Sequence, residues 1–172
     1  MRADSQVLPG VATFANVSLI IRSAGSDDLP RLRQVYRRSS LSNEGDREAL
    51  LRQPGYLVFP GEAVLEGRTR VAEHPKKGII GFATVDPQSS TAELVDLFVD
   101  PDSMRQGVAR ALIADAMATL ADHGVGVLEV TANRHALEFY TALGFEVVGA
   151  VTTELGSGLR MRFRFSAKSR DS

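Results

Sequence analysis

The sequence predicts an α+β domain built on one mixed, mostly antiparallel sheet of about seven strands, with a single parallel β-α-β unit and helices on both faces. Three observations predict it. The chain has 172 residues, 44% hydrophobic and 24% charged, which suits one ordinary globular core. Apolar runs of strand type and stripes of helical spacing follow one another in the order β, α, α, β, β, β, α, β, α, β, β. The strands expected at Ala92–Val99 and Val127–Thr131 are separated by a whole helix, the crossover a parallel pair needs.

Val17–Arg22 (VSLIIR) is short, apolar and β-branched, a strand. Ser26 is placed to cap the next helix, with Asp27, Asp28 and Pro30 in its first turn. Leu29, Leu32, Val35 and Tyr36 carry that helix to about Arg38. A second short helix is expected over Asp46–Arg52, before Pro54, and one more helical turn over Glu62–Glu66. Arg68–Glu73 and Ile79–Val85 read as strands joined by the loop His74–Gly78, and Ala92–Val99 as a longer strand ending at Asp100-Pro101.

After Gly107, the residues Val108, Leu112, Ala116 and Leu120 stand four apart, with Ile113 and Met117 widening the stripe until Gly124 stops the helix. Val127–Thr131 is the next strand. Ala136, Phe139, Tyr140 and Leu143 then fall on one helical face, ended by Gly144. Phe145–Val151 and Leu159–Phe165 close the sheet around a Gly156-Ser157-Gly158 turn. The expected division is a flexible leader over 1–16, one domain over 17–166 and a frayed tail over 167–172.

Twenty basic residues against 21 acidic ones give a formal charge of −1, which disfavours a nucleic-acid partner. Without cysteine there is no disulfide, thiolate nucleophile or Cys-ligated metal, and the composition fits a reducing compartment. His74, His123 and His135 lack carboxylates at ligand spacing, so no metal is expected. Ser5–Ile21 carries no formal charge, yet Pro9 and Asn16 interrupt it, and no stretch approaches the ~20 apolar residues of a membrane span. The expectation is a soluble cytoplasmic protein with no membrane partner.

Chemistry concentrates in Pro101-Asp102-Ser103-Met104-Arg105-Gln106-Gly107-Val108-Ala109-Arg110, between strand and helix. Gly107 and Ala109 leave little bulk over a helix entrance whose first amides have no intrahelical partner. With the positive end of the helix dipole, they suit a pyrophosphate, and Arg105 and Arg110 can add charge-assisted bonds. A plain tight turn explains the small residues equally well. The loop lacks the Gly-Lys-Ser/Thr ending of a Walker loop and the full G-x-G-x-x-G of a dinucleotide site.

Ile21-Arg22 followed by Asp27-Asp28-Leu29-Pro30, then LFVDPDSMRQGVARALI, then Asn133-Arg134-His135-Ala136 with Phe139-Tyr140 and Leu143-Gly144-Phe145, resembles the GNAT family of N-acyltransferases over roughly Leu19–Phe165. The resemblance implies acetyl-CoA as donor and a primary amine as acceptor. In the family's Q/R-x-x-G-x-G/A signature Met104 takes the first position, a departure, with Gly107 fourth and Ala109 sixth. It implies cofactor contacts from Met104, Arg105, Gln106, Gly107, Val108, Ala109 and Arg110. It adds backbone contacts from Phe98 and Val99 where the fourth and fifth predicted strands part, and contacts from Asn133 and Phe139.

The resemblance also makes Tyr140 the general acid for the departing sulfur, with the Val99 amide stabilising the oxyanion. Glu93, where some members of the family carry the base, is the expected one, with Asp96 or water as the alternatives. Asp96, three residues along a regular strand, is expected on the opposite face. Bland readings stand beside these: Tyr140 as core, Asn133 as a helix cap, and Arg160, Arg162 and Arg164 as a solvated strand face. The acceptor is expected between the helices of 27–52, the stretch 53–67 and the final hairpin. Competing functions are a non-catalytic acyl-CoA-binding sensor or interaction module, and a nucleotide-binding protein using the same loop. Domains of this family often pair, so a homodimer is among the states it implies.

Overall fold

The computed structural model describes residues 11–14 and 17–166. In chain order its elements are β1 (Val11–Phe14), β2 (Val17–Ser23), α1 (Leu29–Ser42), α2 (Glu44–Arg52), α3 (Glu62–Leu65), β3 (Thr69–His74), β4 (Gly78–Gln88), β5 (Thr91–Val99), α4 (Val108–Asp122), β6 (Val127–Ala132), α5 (Leu137–Ala142), β7 (Glu146–Thr153) and β8 (Gly156–Arg164). The strands form one sheet in the order β1-β2-β3-β4-β5-β6-β8-β7. Among the described residues only β5 and β6 pair in parallel, and α4 is their crossover.

Helices cover both faces, as the sequence predicts. On one face α4 and α5 pack over Leu94, Leu128, Val130 and Met161. On the other, Leu32 and Val35 of α1 close over Val71 and Phe82, with Phe59 and Phe98 beside them. Gly81 fixes how closely α4 approaches. A Cβ there would lie 3.0 Å from Val108 Cγ1 and 3.0 Å from the Phe98 carbonyl oxygen, so only glycine lets the start of α4 rest on β4.

Local details differ from the sequence reading. Val11–Phe14, in the expected leader, pairs with Val17–Ile20 and adds an eighth strand. Ser26 is not the helix cap: Ser26–Asp28 is a 3-10 turn, closed by Asp28 Oδ2 accepting from the Gly25 amide at 2.8 Å. The final hairpin turns at Glu154-Leu155, and Gly156 already belongs to β8.

Two irregularities break the regular sheet near its middle. β5 and β6 pair only from Thr91/Val127 to Leu94/Val130; beyond that β5 continues against β4, β6 continues against β8, and the sheet parts. At the same point Leu94 faces Val85 while Asp96 faces Thr84, which leaves Val95 as the extra residue of a β-bulge.

Candidate active site

The parted strands open a cleft of about 1090 Å³. One wall is the free half of β5 with the start of α4, and the opposite wall is β6, Asn133 and α5. Ser39, Ser42, Asn43, Asp46 and Leu50 of α1 and α2 border its far end, with Tyr56, Thr153 and Leu155. There the Tyr56 hydroxyl donates to the Glu154 carboxylate and ties the 54–57 turn to the final hairpin. Segments expected from sequence to frame an acceptor therefore border this cleft.

The mouth of α4 leaves its amides free. Among the described residues no hydrogen bond engages the backbone amides of 105–110; the first helical bond runs from Ala111 N to Gly107 O at 3.0 Å. No side chain caps the helix and no acid stands in its first turn. Arg105 and Gly107 have φ of 59° and 82°, the left-handed turns that fold the loop back on itself. Met104, Arg105, Gly107, Val108, Ala109 and Arg110 line the cleft. Gln106 does not; its side chain donates to the Asp102 carbonyl at 3.5 Å. Behind the loop, buried Asp100 accepts from Arg31 and Arg38 of α1, both at 3.2 Å, and from the Asp102 amide at 3.1 Å, which fixes the loop to the helix.

Backbone groups of β5 divide by alternation. The Asp100 amide donates to the Ile80 carbonyl at 2.7 Å. In an extended strand the amide and carbonyl of each residue point to one side and those of the next to the other. Phe98 therefore also turns its polar backbone to β4, and Val99 and Leu97 turn theirs to the gap. Of the two strand positions expected to meet the cofactor, Val99 offers free backbone, whereas Phe98 lends its ring to the cluster with Tyr36 and Phe82.

Tyr140 is 6% exposed and borders the cleft. Its hydroxyl has no hydrogen-bond partner among the described residues, and it is not a buried unpaired atom, so it opens into the cleft. Burial pushes its pKa up to about 12. The rings of Phe139 and Phe145 stand 5.1 and 5.3 Å from it and hold its orientation. Asn133 lies on the cleft wall and caps the turn leading to α5, its Oδ1 accepting from the Ala136 amide at 3.0 Å. The capping role is present, and it fixes the side chain at the cleft.

The carboxylates of β5 require a correction. Glu93 borders neither the cleft nor the smaller cavity beside it. Its Oε1 accepts from Arg160 Nη1 at 2.6 Å, in a network where Glu129 is bound by Arg160 and Arg162, each at 2.6 Å. Those arginines hold the Glu129 carboxyl below its ordinary pKa, Arg162 foremost. The arginine row expected to be solvated, or to attract an acidic acceptor, is thus largely neutralised within the sheet.

Asp96 does not lie opposite Glu93. Leu94 and Leu97 belong to the core beneath α4, and the bulge at Val95 puts Glu93 and Asp96 on the other face together. Asp96 borders a cavity of about 210 Å³ that shares Tyr36 and Val95 with the cleft. Sequence reasoning places His135 as an exposed helix residue. It is exposed, but it also lines the cleft, with Nε2 3.8 Å from where a Gly45 Cβ would stand.

Residues 62–163, more than half of the chain, match the acetyltransferase (GNAT) domain. A histone acetyltransferase of Glycine max is 35% identical over 72 residues, 41% of this chain and 31% of that protein. An uncharacterized N-acetyltransferase of Methanocaldococcus jannaschii is 34% identical over 77 residues, 39% of this chain and 34% of that protein. The match thus spans about a third of the length of these curated relatives. The PaiA N-acetyltransferase of Thermoplasma acidophilum, solved with coenzyme A, has a TM-score of 0.68 at 21% identity, covering 86% of this chain and 99% of that one. For a ribosomal-protein-alanine N-acetyltransferase of Brucella melitensis the TM-score is 0.64 at 21% identity, covering 85% and 99%. At these identities the structures establish a shared fold. The domain match carries the assignment further: the chain belongs to the GNAT acetyltransferase family.

Proposed function

We propose that the protein transfers the acetyl group of acetyl-CoA to an amine. One observation carries this reading: a parted sheet whose gap joins an uncapped helix mouth at Gly107 to the cleft-facing hydroxyl of Tyr140. Amides of the 105–110 loop suit the diphosphate, with Arg105 and Arg110 adding charge. The free backbone of Leu97 and Val99 suits the amide-rich pantetheine arm, and Asn133 faces it across the gap.

Bound there, the donor supplies an activated acyl carbon. An amine nitrogen attacks it, the carbonyl oxygen gains negative charge, and the C–S bond breaks. The Val99 amide is the donor we assign to that oxygen. Tyr140 gives its proton to the departing sulfur, and the nitrogen, now bonded to the acyl carbon, releases one proton as the amide forms, which restores the phenol. The burial that raises its pKa to about 12 keeps the phenol protonated at neutral pH, and it raises the proton affinity of a thiolate released beside it by the same desolvation.

The test is a panel of amines with acetyl-CoA, read by release of CoA thiol, alongside calorimetric titration of CoA. Saturable turnover with binding of CoA supports the reading. Binding without turnover on any amine turns the protein into an acyl-CoA-binding module, and absence of binding ends the reading altogether.

A further inference from the structure

An acceptor that arrives as an ammonium must lose a proton before it attacks, and Glu93, engaged with Arg160, does not border the cleft. Resting on the acetyltransferase reading, we propose that the Asp96 carboxylate receives and deprotonates the cationic head of the acceptor, and that the side cavity on the α1 side of β5 is its binding site. Three observations meet here. The Val95 bulge sets Asp96 on that face, and Val95 and Tyr36 are shared by the side cavity and the cleft, so the two adjoin at the free half of β5. The aromatic rings of Tyr36 and Phe59 line the site beside the carboxylate, a combination that favours an alkylammonium. And Asp96 forms no salt bridge among the described residues, in contrast to Glu93.

The groups around it are few. Thr84 of β4 hydrogen-bonds its carboxylate, Arg68 attracts it from the start of β3, and Glu62 of α3 borders the same cavity. Arg68 is itself engaged by Glu66 and, at 3.7 Å, by Asp86. From α1, Tyr36 faces it, and the phenol is raised by burial and by the Asp96 charge. Burial likewise raises the Asp96 pKa from its ordinary value, which brings it nearer to a useful base. The step balances simply. An N–H bond of the ammonium breaks, its electron pair stays on nitrogen, and an O–H bond forms on Asp96; that proton later leaves to solvent through the open cavity. With CoA thiol and the acetylated amine as products, one proton is released per turnover.

The experiment compares wild type, D96N and E93Q with acetyl-CoA and two acceptors: an alkylamine, cationic at pH 7, and hydroxylamine, neutral there. For D96N, kcat/KM on the alkylamine is expected to fall about 100-fold at pH 7 and to recover as pH rises toward the amine's own pKa, while hydroxylamine loses less than about threefold. E93Q keeps the wild-type pH profile. Equal losses on both acceptors, or a loss that follows E93Q instead, overturn the proposal. Failure of wild type to release CoA with any acceptor overturns the acetyltransferase reading itself, and the role of Asp96 with it. Thermal melts separate a packing role. A raised carboxyl pKa penalises the folded state increasingly as pH climbs from the ordinary carboxylate value to the raised one, and in full above it, so D96N is expected to melt higher than wild type at pH 7.5 and to lose the advantage on acidification. A D96N protein that melts lower at pH 7.5 assigns Asp96 to packing and overturns the proposal.

Discussion

From Thr91 to Leu94, β5 is paired on both sides, to β4 and to β6; from Asp96 to Val99 it is paired to β4 alone. Each half carries one carboxylate on the same face of the sheet. In the doubly paired half, β8 is close enough through β6 for Arg160 to reach Glu93, and the charge becomes part of an ionic ladder. In the singly paired half no strand crosses the gap, so backbone groups and Asp96 have space beside them. Residue type does not separate the two carboxylates. Neighbouring strands do, and the bulge at Val95 marks the border.

The comparison is sharpened most by Tyr140→Phe. Removing the hydroxyl across the gap is expected to lower kcat by about 100- to 1000-fold, while CoA affinity stays within about threefold. Steady-state kinetics with calorimetry checks it; equal losses in both would make Tyr140 a packing residue. The pH profile of the wild type should show no alkaline loss from Tyr140 below about pH 11, given its pKa of about 12.

Next comes the helix mouth. Gly107 has φ of 82°, where an alanine is strained by about 1–2 kcal/mol, so Gly107→Ala is expected to weaken CoA binding about tenfold with little change in kcat at saturation. On the doubly paired side, Glu129→Ala breaks the ladder and leaves two arginines without their shared partner. It is expected to cost about 1 kcal/mol at pH 7, a melting shift of about 2–4 °C, with kcat within about twofold.

The sign with pH follows from the lowered pKa of Glu129. Its contribution is present above the ordinary carboxylate value and is lost as pH falls through the depressed one, so the two melting curves should converge below about pH 4. The smallest effect is expected from Tyr56→Phe. Untying the turn from the final hairpin should shift the acceptor KM by about two- to threefold and leave CoA affinity unchanged.

Much of this is legible in the chain because it is local. Strand, glycine loop and helix stripe in 92–122 predict the parallel unit and the uncapped helix mouth together, and the spacing from Asn133 to Tyr140 sets one at the start of a short helical segment and the other within it. The carboxylates are not legible. A regular strand puts Glu93 and Asp96 on opposite faces, and nothing within 91–99 reveals that Val95 is skipped, since a bulge is a property of the ladder with β4. Nor does local pattern show that Arg160, 67 residues on, reaches Glu93. Tyr36, Asp46 and Tyr56 reach the cleft through the packing of α1, α2 and the 54–57 turn, where apolar periodicity says little about polar faces.

Gly81 lies outside the cleft, yet it sets a dimension of it. A methyl group at 81 would have to displace either Val108, the first residue of α4, or the carbonyl of Phe98. On the proposed reading, lifting the helix by even a few tenths of an ångström raises the diphosphate seat while the thioester end stays fixed by β5. The donor is one covalent molecule whose two ends must fit at once. The absent side chain thus works as a spacer gauge between them, and its enlargement should be felt as mismatched reach, with binding retained in part and the acyl carbon held out of line.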